Sequence, residues 1–174
     1  MFTERRSIRR YKEMEIEKEK LDKVLEAARW APSWANTQCC ELVVIQEGTV
    51  KEQLSEILSK KNPASLAVKN APVVITVCAL VEKSGFYSGK AITKLGDWFM
   101  YDLGLVTQNM CMAAHSEGLG TVIVGAFDHD QARKILKVPD DREVVAIVPL
   151  GYPDHEPSPP KRKSMAELVR WNSY

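Results

Sequence analysis

PVVITVCAL, residues 72–80, is β-branched and almost wholly apolar. A run of that length without polar alternation predicts a strand buried on both faces. Such a strand needs neighbours and cover. LVVIQ (42–46), TVIVGAF (121–127) and VVAIVPLGY (144–152) read as three further strands, and Pro149 suggests an edge or a strand end in the last. From Lys18 onward, Leu21, Val24, Leu25 and Ala28 recur at helical spacing, and Pro32 stops that helix. Residues 97–117 give the longest helix. Trp98, Tyr101, Leu105, Met112 and small neighbours suit burial around most of its circumference, and Gly118 ends it. Strands and helices mixed around a long helix predict an α/β or α+β domain, a sheet covered by helices.

Shorter signals fill the gaps. Thr49-x-x-Glu52 has capping-box spacing and predicts a helix to about Ser59. Asp128-x-x-Gln131 opens another, ending near Leu136, and Ser164-x-x-Glu167 caps a last short one. Residues 61–71 read as a connection, and 82–96, with three glycines, as a mobile loop. The tail PDHEPSPPKRKS (153–164) holds four prolines and predicts extended chain. It is too poor in apolar residues to fold alone, so it must lie on its own domain or on a partner subunit.

Composition excludes several classes. The 174 residues make one domain's worth of sequence, 45% hydrophobic and 27% charged, which rules out general disorder. Lys plus Arg total 24 against 23 Asp plus Glu; a net charge of +1 argues against nucleic acid or a polybasic membrane contact. No run of 18 apolar residues predicts a membrane span, and the charged N-terminus is no signal-peptide core, so a cytoplasmic location is expected. Cys39, Cys40, Cys78 and Cys111 form no CxxC pair, and no histidine supplies metal-ligand spacing. GLGTVIVG (118–125) has Ile123 where a dinucleotide fingerprint needs its third glycine, and it precedes a strand instead of following one. There is no GxxxxGK[ST] and no GxSxG. His115, His129 and His155 are scattered, and spacing builds no nucleophilic triad.

Two basic clusters carry more. Arg5, Arg6, Arg9 and Arg10 lie close together around Ser7; Lys161, Arg162 and Lys163 follow the proline-rich tail. Forked guanidinium groups and a hydroxyl are what a phosphate's oxygens require, although such a cluster can equally be a solvated helix end. Clusters at opposite ends of a neutral chain can converge on one anion. The loop Pro32-Ser33-Trp34-Ala35-Asn36-Thr37-Gln38 offers donors and acceptors suited to the polar edge of a heterocycle, or is an ordinary helix-to-strand loop.

Taken together, RRSIRRY (5–11), APSWANTQ (31–38), QNMCMAAHSEGLGTVIVGAFD (108–128) and PPKRKSMAELV (159–169) resemble the nitroreductase family of FMN-dependent oxidoreductases, in order over nearly the whole chain. The resemblance implies an α+β fold, a mixed central β-sheet flanked by helices, over 1–174, in an intertwined homodimer with the 153–174 arm on the partner subunit. It implies FMN at the subunit interface. Arg5, Arg6, Ser7 and Arg9 match the cofactor-binding motif of the N-terminus. Pro32, Ser33 and Trp34, continued by Asn36 and Gln38, match the loop that reaches the flavin from the second subunit. Val124, Gly125 and Ala126 match a strand end beside the ring, and Lys161, Arg162 and Lys163 the C-terminal phosphate-binding group. Cys39-Cys40 departs from the pairs many members carry there.

By the same resemblance, NADH or NADPH is the electron donor, a nitroaromatic, quinone or related small molecule the acceptor, and the kinetics ping-pong. The flavin carries the chemistry, so no catalytic side chain and no metal is expected. Alternatives are a dehalogenating, flavin-converting or azoline-oxidising relative, or a non-enzymatic FMN-binding redox sensor with Cys39-Cys40 as its thiol probe.

Overall fold

A computed structural model describes residues 1–174. Its elements are α1 (Lys18–Arg29), β1 (Cys40–Ile45), α2 (Gly48–Glu56), α3 (Ser65–Asn70), β2 (Val73–Leu80), β3 (Phe86–Tyr87), β4 (Lys90–Ala91), α4 (Phe99–Ser116), β5 (Gly120–Thr121), α5 (His129–Leu136), β6 (Arg142–Gly151) and α6 (Met165–Leu168), with a short 3-10 turn at Trp34–Asn36. The fold is α+β. Four strands form one sheet in the order β1-β2-β6-β5.

The period of two along β2 builds two cores. Val73, Ile75, Val77 and Ala79 face one side with Leu103, Val106 and Met110 of α4 and Val24 of α1. Val74 and Cys78 face the other, with Leu54 of α2, Val68 of α3 and Ala132 of α5. Each buried aliphatic side chain contributes roughly 1.5–3 kcal/mol relative to exposure. Both faces are covered, which is why this strand reads as an unbroken apolar run.

The expectation of a mixed sheet is corrected: every strand pair is antiparallel. The α2–α3 connection returns the chain to the end it left, so β2 runs opposite to β1. β5, which runs parallel to β2, is separated from it by β6. One isolated parallel bridge, Ser7 with Thr121, stands at the border. β6 is interior, despite Pro149. Ile147 exchanges both backbone bonds with Val124 at 2.9 Å. Pro149, two residues on, turns the same way, into the gap before the Thr121–Leu150 pair. No ladder donor is needed there.

Other expectations shift locally. Of 121–127 only Thr121 is strand, closing β5; beyond it the one backbone bridge to β6 is Val124 with Ile147. The capping-box reading of Thr49 is wrong: Thr49 lies inside α2, whose N-cap is Glu47, and its hydroxyl bonds the Glu47 carboxylate at 2.6 Å. Asp128 caps α5 as expected, accepting from the Gln131 N–H at 2.9 Å, and Ser164 with Glu167 forms a full capping box. The 61–71 connection contains α3, and 82–96 holds the hairpin β3–β4. α4 is buried on one side only; Met100 and Tyr101 stand exposed on the other. No helix is long and apolar enough to cross a membrane.

Candidate functional site

The N-terminal segment is fixed by backbone pairing before any of its side chains act. The Ile8 N–H donates to Thr121 O at 2.8 Å, and Lys12 N–H to Tyr152 O at 2.9 Å. The Tyr11 hydroxyl donates to Ile8 O at 2.8 Å and to Pro149 O at 3.1 Å. Burial holds that phenol neutral, well above the usual tyrosine range. The C-terminal arm starts on the same segment: Tyr11 bridges Pro153, and Asp154 N–H donates to Arg10 O at 3.0 Å. The two ends of the chain are thereby laid side by side.

Their basic groups consequently meet. Arg5, Arg6, Ser7, Arg9 and Arg162 line one cavity of about 260 Å³, together with Pro157, Ser158 and Pro160. No carboxylate lines it. Arg6 Nη1 is turned to Thr3 O at 2.7 Å and Arg5 O at 2.9 Å, and Arg9 Nη1 to Ser7 O at 3.4 Å. Arg5 and Arg162 are engaged by no protein acceptor. A ring of guanidinium donors and two serine hydroxyls around an open volume is chemically matched to a phosphomonoester, and these residues therefore fit the phosphate end of FMN. A larger cavity of about 450 Å³ adjoins it, sharing Arg5, Arg6 and Pro157 and reaching Thr121, His115 and His155.

The remaining expected residues are placed less closely. Lys161 and Lys163 are exposed and outside the lining; of the three basic residues only Arg162 faces the cavity. Val124 is buried, while Gly125 and Ala126 are exposed and line neither cavity. Nothing lies within 4 Å of where a Cβ on Gly125 would stand, so its backbone borders open space.

The 32–38 loop is elsewhere. Ser33 and Gln38 line a third cavity, about 250 Å³, between α1, β1 and α4. That lining shares no residue with the arginine cavity, so one chain does not bring the loop and the cluster together. Its backbone is unusual. Ala35, Asn36 and Gln38 have φ of 45°, 54° and 50°. The Gln38 N–H donates to Ser33 Oγ at 2.9 Å, and the Trp34 N–H to Asp102 Oδ1 at 2.9 Å. Burial, and then the Asp102 carboxylate, push the Cys39 thiol up to about 12; burial, and then Cys39, do the same to Cys40. Asp102 was not anticipated. A lone acid within the apolar α4 run was the signal available.

The sequence matches the Nitroreductase family model over residues 2–152. A nitroreductase family protein of Clostridium difficile 630 is similar in structure, with a TM-score of 0.80 and 32% identity over 99% of this chain and 96% of that one. An FMN-dependent nitroreductase of C. difficile R20291 gives 0.82 and 28%, covering 99% and 97%. An FMN reductase [NAD(P)H] of Bacillus subtilis is 27% identical over 167 residues, 87% of this chain and 64% of that protein. A match of this extent, together with the shared α+β architecture, places the chain in the nitroreductase family.

Proposed function

We propose that the protein is an FMN-dependent oxidoreductase, working as a homodimer. It would take electrons from NADH or NADPH and pass them to nitroaromatic, quinone or related small acceptors in alternating half-reactions. The observation that carries this reading is the convergence of Arg5, Arg6, Ser7, Arg9 and Arg162 on one cavity free of carboxylates. When bound, FMN would supply the hydride and electron chemistry.

The chain's own residues bind and orient. Arg5 and Arg162 hold the phosphate with forked, charge-assisted bonds, and Ser7 adds a hydroxyl. Arg6, partly tied to carbonyls, and Arg9 add positive charge along the N-terminal side, while Lys161 and Lys163 add it at the mouth. Val124, Gly125 and Ala126 offer a backbone edge beside open space for a planar ring. Pro32, Ser33, Trp34, Asn36 and Gln38 would close over the flavin of the paired subunit, which accounts for their separation from the arginines within one chain. The exposed apolar side chains of the arm, Met165, Leu168 and Trp171, likewise find no cover on their own chain. The thiol-sensor alternative is disfavoured, because both adjacent thiols are held protonated.

The test compares FMN with riboflavin on flavin-free protein. FMN should bind at least about 100-fold more tightly, because it adds charged hydrogen bonds. The combined Arg5→Ala and Arg162→Ala variant should erase that preference. Equal affinity for both flavins in the parent protein overturns the cradle. Failure of either nicotinamide nucleotide to bleach the loaded protein without oxygen overturns the reductase reading.

A further inference from the structure

Asp102 is 1% exposed, in the first turn of α4 on the helix face that packs on the sheet. A carboxylate there is costly unless its lone pairs are occupied. Three donors from two segments occupy them. The Trp34 N–H reaches Oδ1 at 2.9 Å, the Ser84 hydroxyl reaches Oδ2 at 2.7 Å, and the Cys39 thiol reaches Oδ2 at 3.5 Å. No cation pairs with it.

The donors belong to two different loops. Trp34 begins the left-handed stretch containing Ala35, Asn36 and Gln38. Non-glycine residues persist there only when the surroundings over-determine them. Ser84 stands at the base of the 81–98 flap, itself a closed unit. The Trp98 N–H donates to Ser84 O at 3.0 Å, Ile92 N–H to Gly85 O at 2.9 Å, and Trp98 Nε1 to Thr93 Oγ1 at 2.7 Å. A Cβ on Gly85 would stand 2.6 Å from Trp98 Cδ1, so the flap folds tightly on that indole. Displacing the flap base therefore pulls on the same carboxylate that sets Trp34.

We propose that Asp102 is a positioning residue that locks the 32–38 loop to the 81–98 flap, so that the flavin-facing loop and the flap move as one. The flavin-facing role of the loop rests on the reading above; the mechanical coupling does not. Asp102→Asn retains an acceptor for Trp34 and turns an amide donor to the Ser84 oxygen, so it keeps the tie. Asp102→Leu removes it, and Ser84→Ala cuts only the flap side.

The measurement is amide hydrogen exchange on the flavin-loaded protein, with steady-state kinetics using a benzoquinone as acceptor. Ser84→Ala should speed exchange at residues 34–38 by about tenfold, the loss of one hydrogen bond to a charged group, and raise the quinone KM severalfold with a smaller change in kcat. Asp102→Leu should do the same, and Asp102→Asn should restore protection. Unchanged exchange at 34–38 in Ser84→Ala overturns the coupling. So does faster exchange with an unaltered quinone KM, since the contact is then merely structural. If the parent protein binds no FMN, the functional reading fails, while exchange on the flavin-free protein still decides the coupling.

Discussion

A methyl group on Gly120 would stand 2.5 Å from Cγ1 of Ile8 and 2.7 Å from its Cβ. Ile8 is buried and adjoins Ser7, so the contact sets how deeply the arginine segment beds against β5. Gly120→Ala should cost about 1–3 kcal/mol, as overpacking does, and should weaken FMN retention by lifting Ser7. Gly125→Ala is the contrast. Its Cβ meets nothing, so the thermal midpoint should stay put while FMN affinity falls. An unchanged unfolding temperature in Gly120→Ala would show that Ile8 and Gly120 do not set how the segment beds.

The Tyr11 hydroxyl serves two carbonyls, one from its own segment and one from β6. Tyr11→Phe leaves both without this donor in a largely dry place. The expected loss is about 1–3 kcal/mol, read as a lower urea midpoint with an unchanged slope. A midpoint equal to that of the parent would show that water substitutes for the phenol.

These two contacts illustrate what could be read in advance. PVVITVCAL announced itself because burial on both faces removes polar alternation. Asp128 and Ser164 announced their helices because a cap needs a particular side chain at a particular offset. Thr49 and Glu52 share that offset inside a helix, where it means nothing. Pro149 marked a strand end, two residues before β6 finishes, and not an edge, because a missing N–H forbids only a bond that the neighbour would have made, and the neighbour is absent at that point. The basic residues of the cradle were readable as types. Their convergence was not, since it depends on Tyr11, Tyr152 and Asp154 pairing two chain ends through backbone. Asp102 was invisible for a similar reason: its donors lie in loops 68 and 18 residues away.

The paired thiols give a pH prediction. Cys39 and Cys40 are pushed up to about 12 from an ordinary 9.0, chiefly by burial. A group whose folded pKa is raised binds more protons in the folded state between the two values. Stability is therefore intact below about pH 9 and falls as pH rises toward about 12. Near pH 8 the thiolate fraction is smaller by a factor on the order of 100–1,000 than in unfolded chain. Iodoacetamide pulses followed by mass analysis should label both residues fast in urea and very slowly in the native protein. Rapid native labelling of either thiol would restore the sensor reading.

Trp30 at the end of α1 and Met100 and Tyr101 in the first turn of α4 are exposed. Met1, Ala27, Trp30, Met112 and Ala113 border a groove of about 380 Å³. Exposed large apolar side chains around such a groove are a liability for a lone subunit and suit the core of an interface. Sedimentation at micromolar concentration should give twice the 19.6 kDa of one chain. Tyr101→Glu places a charge at an exposed apolar position of α4 that belongs to neither buried core, so the fold should survive while the dimer dissociates. FMN should leave with it, since the 32–38 loop and the arginine cavity come from different chains in the proposed site. A monomer that keeps FMN at full affinity would separate cofactor binding from pairing and return the loop to a purely local role.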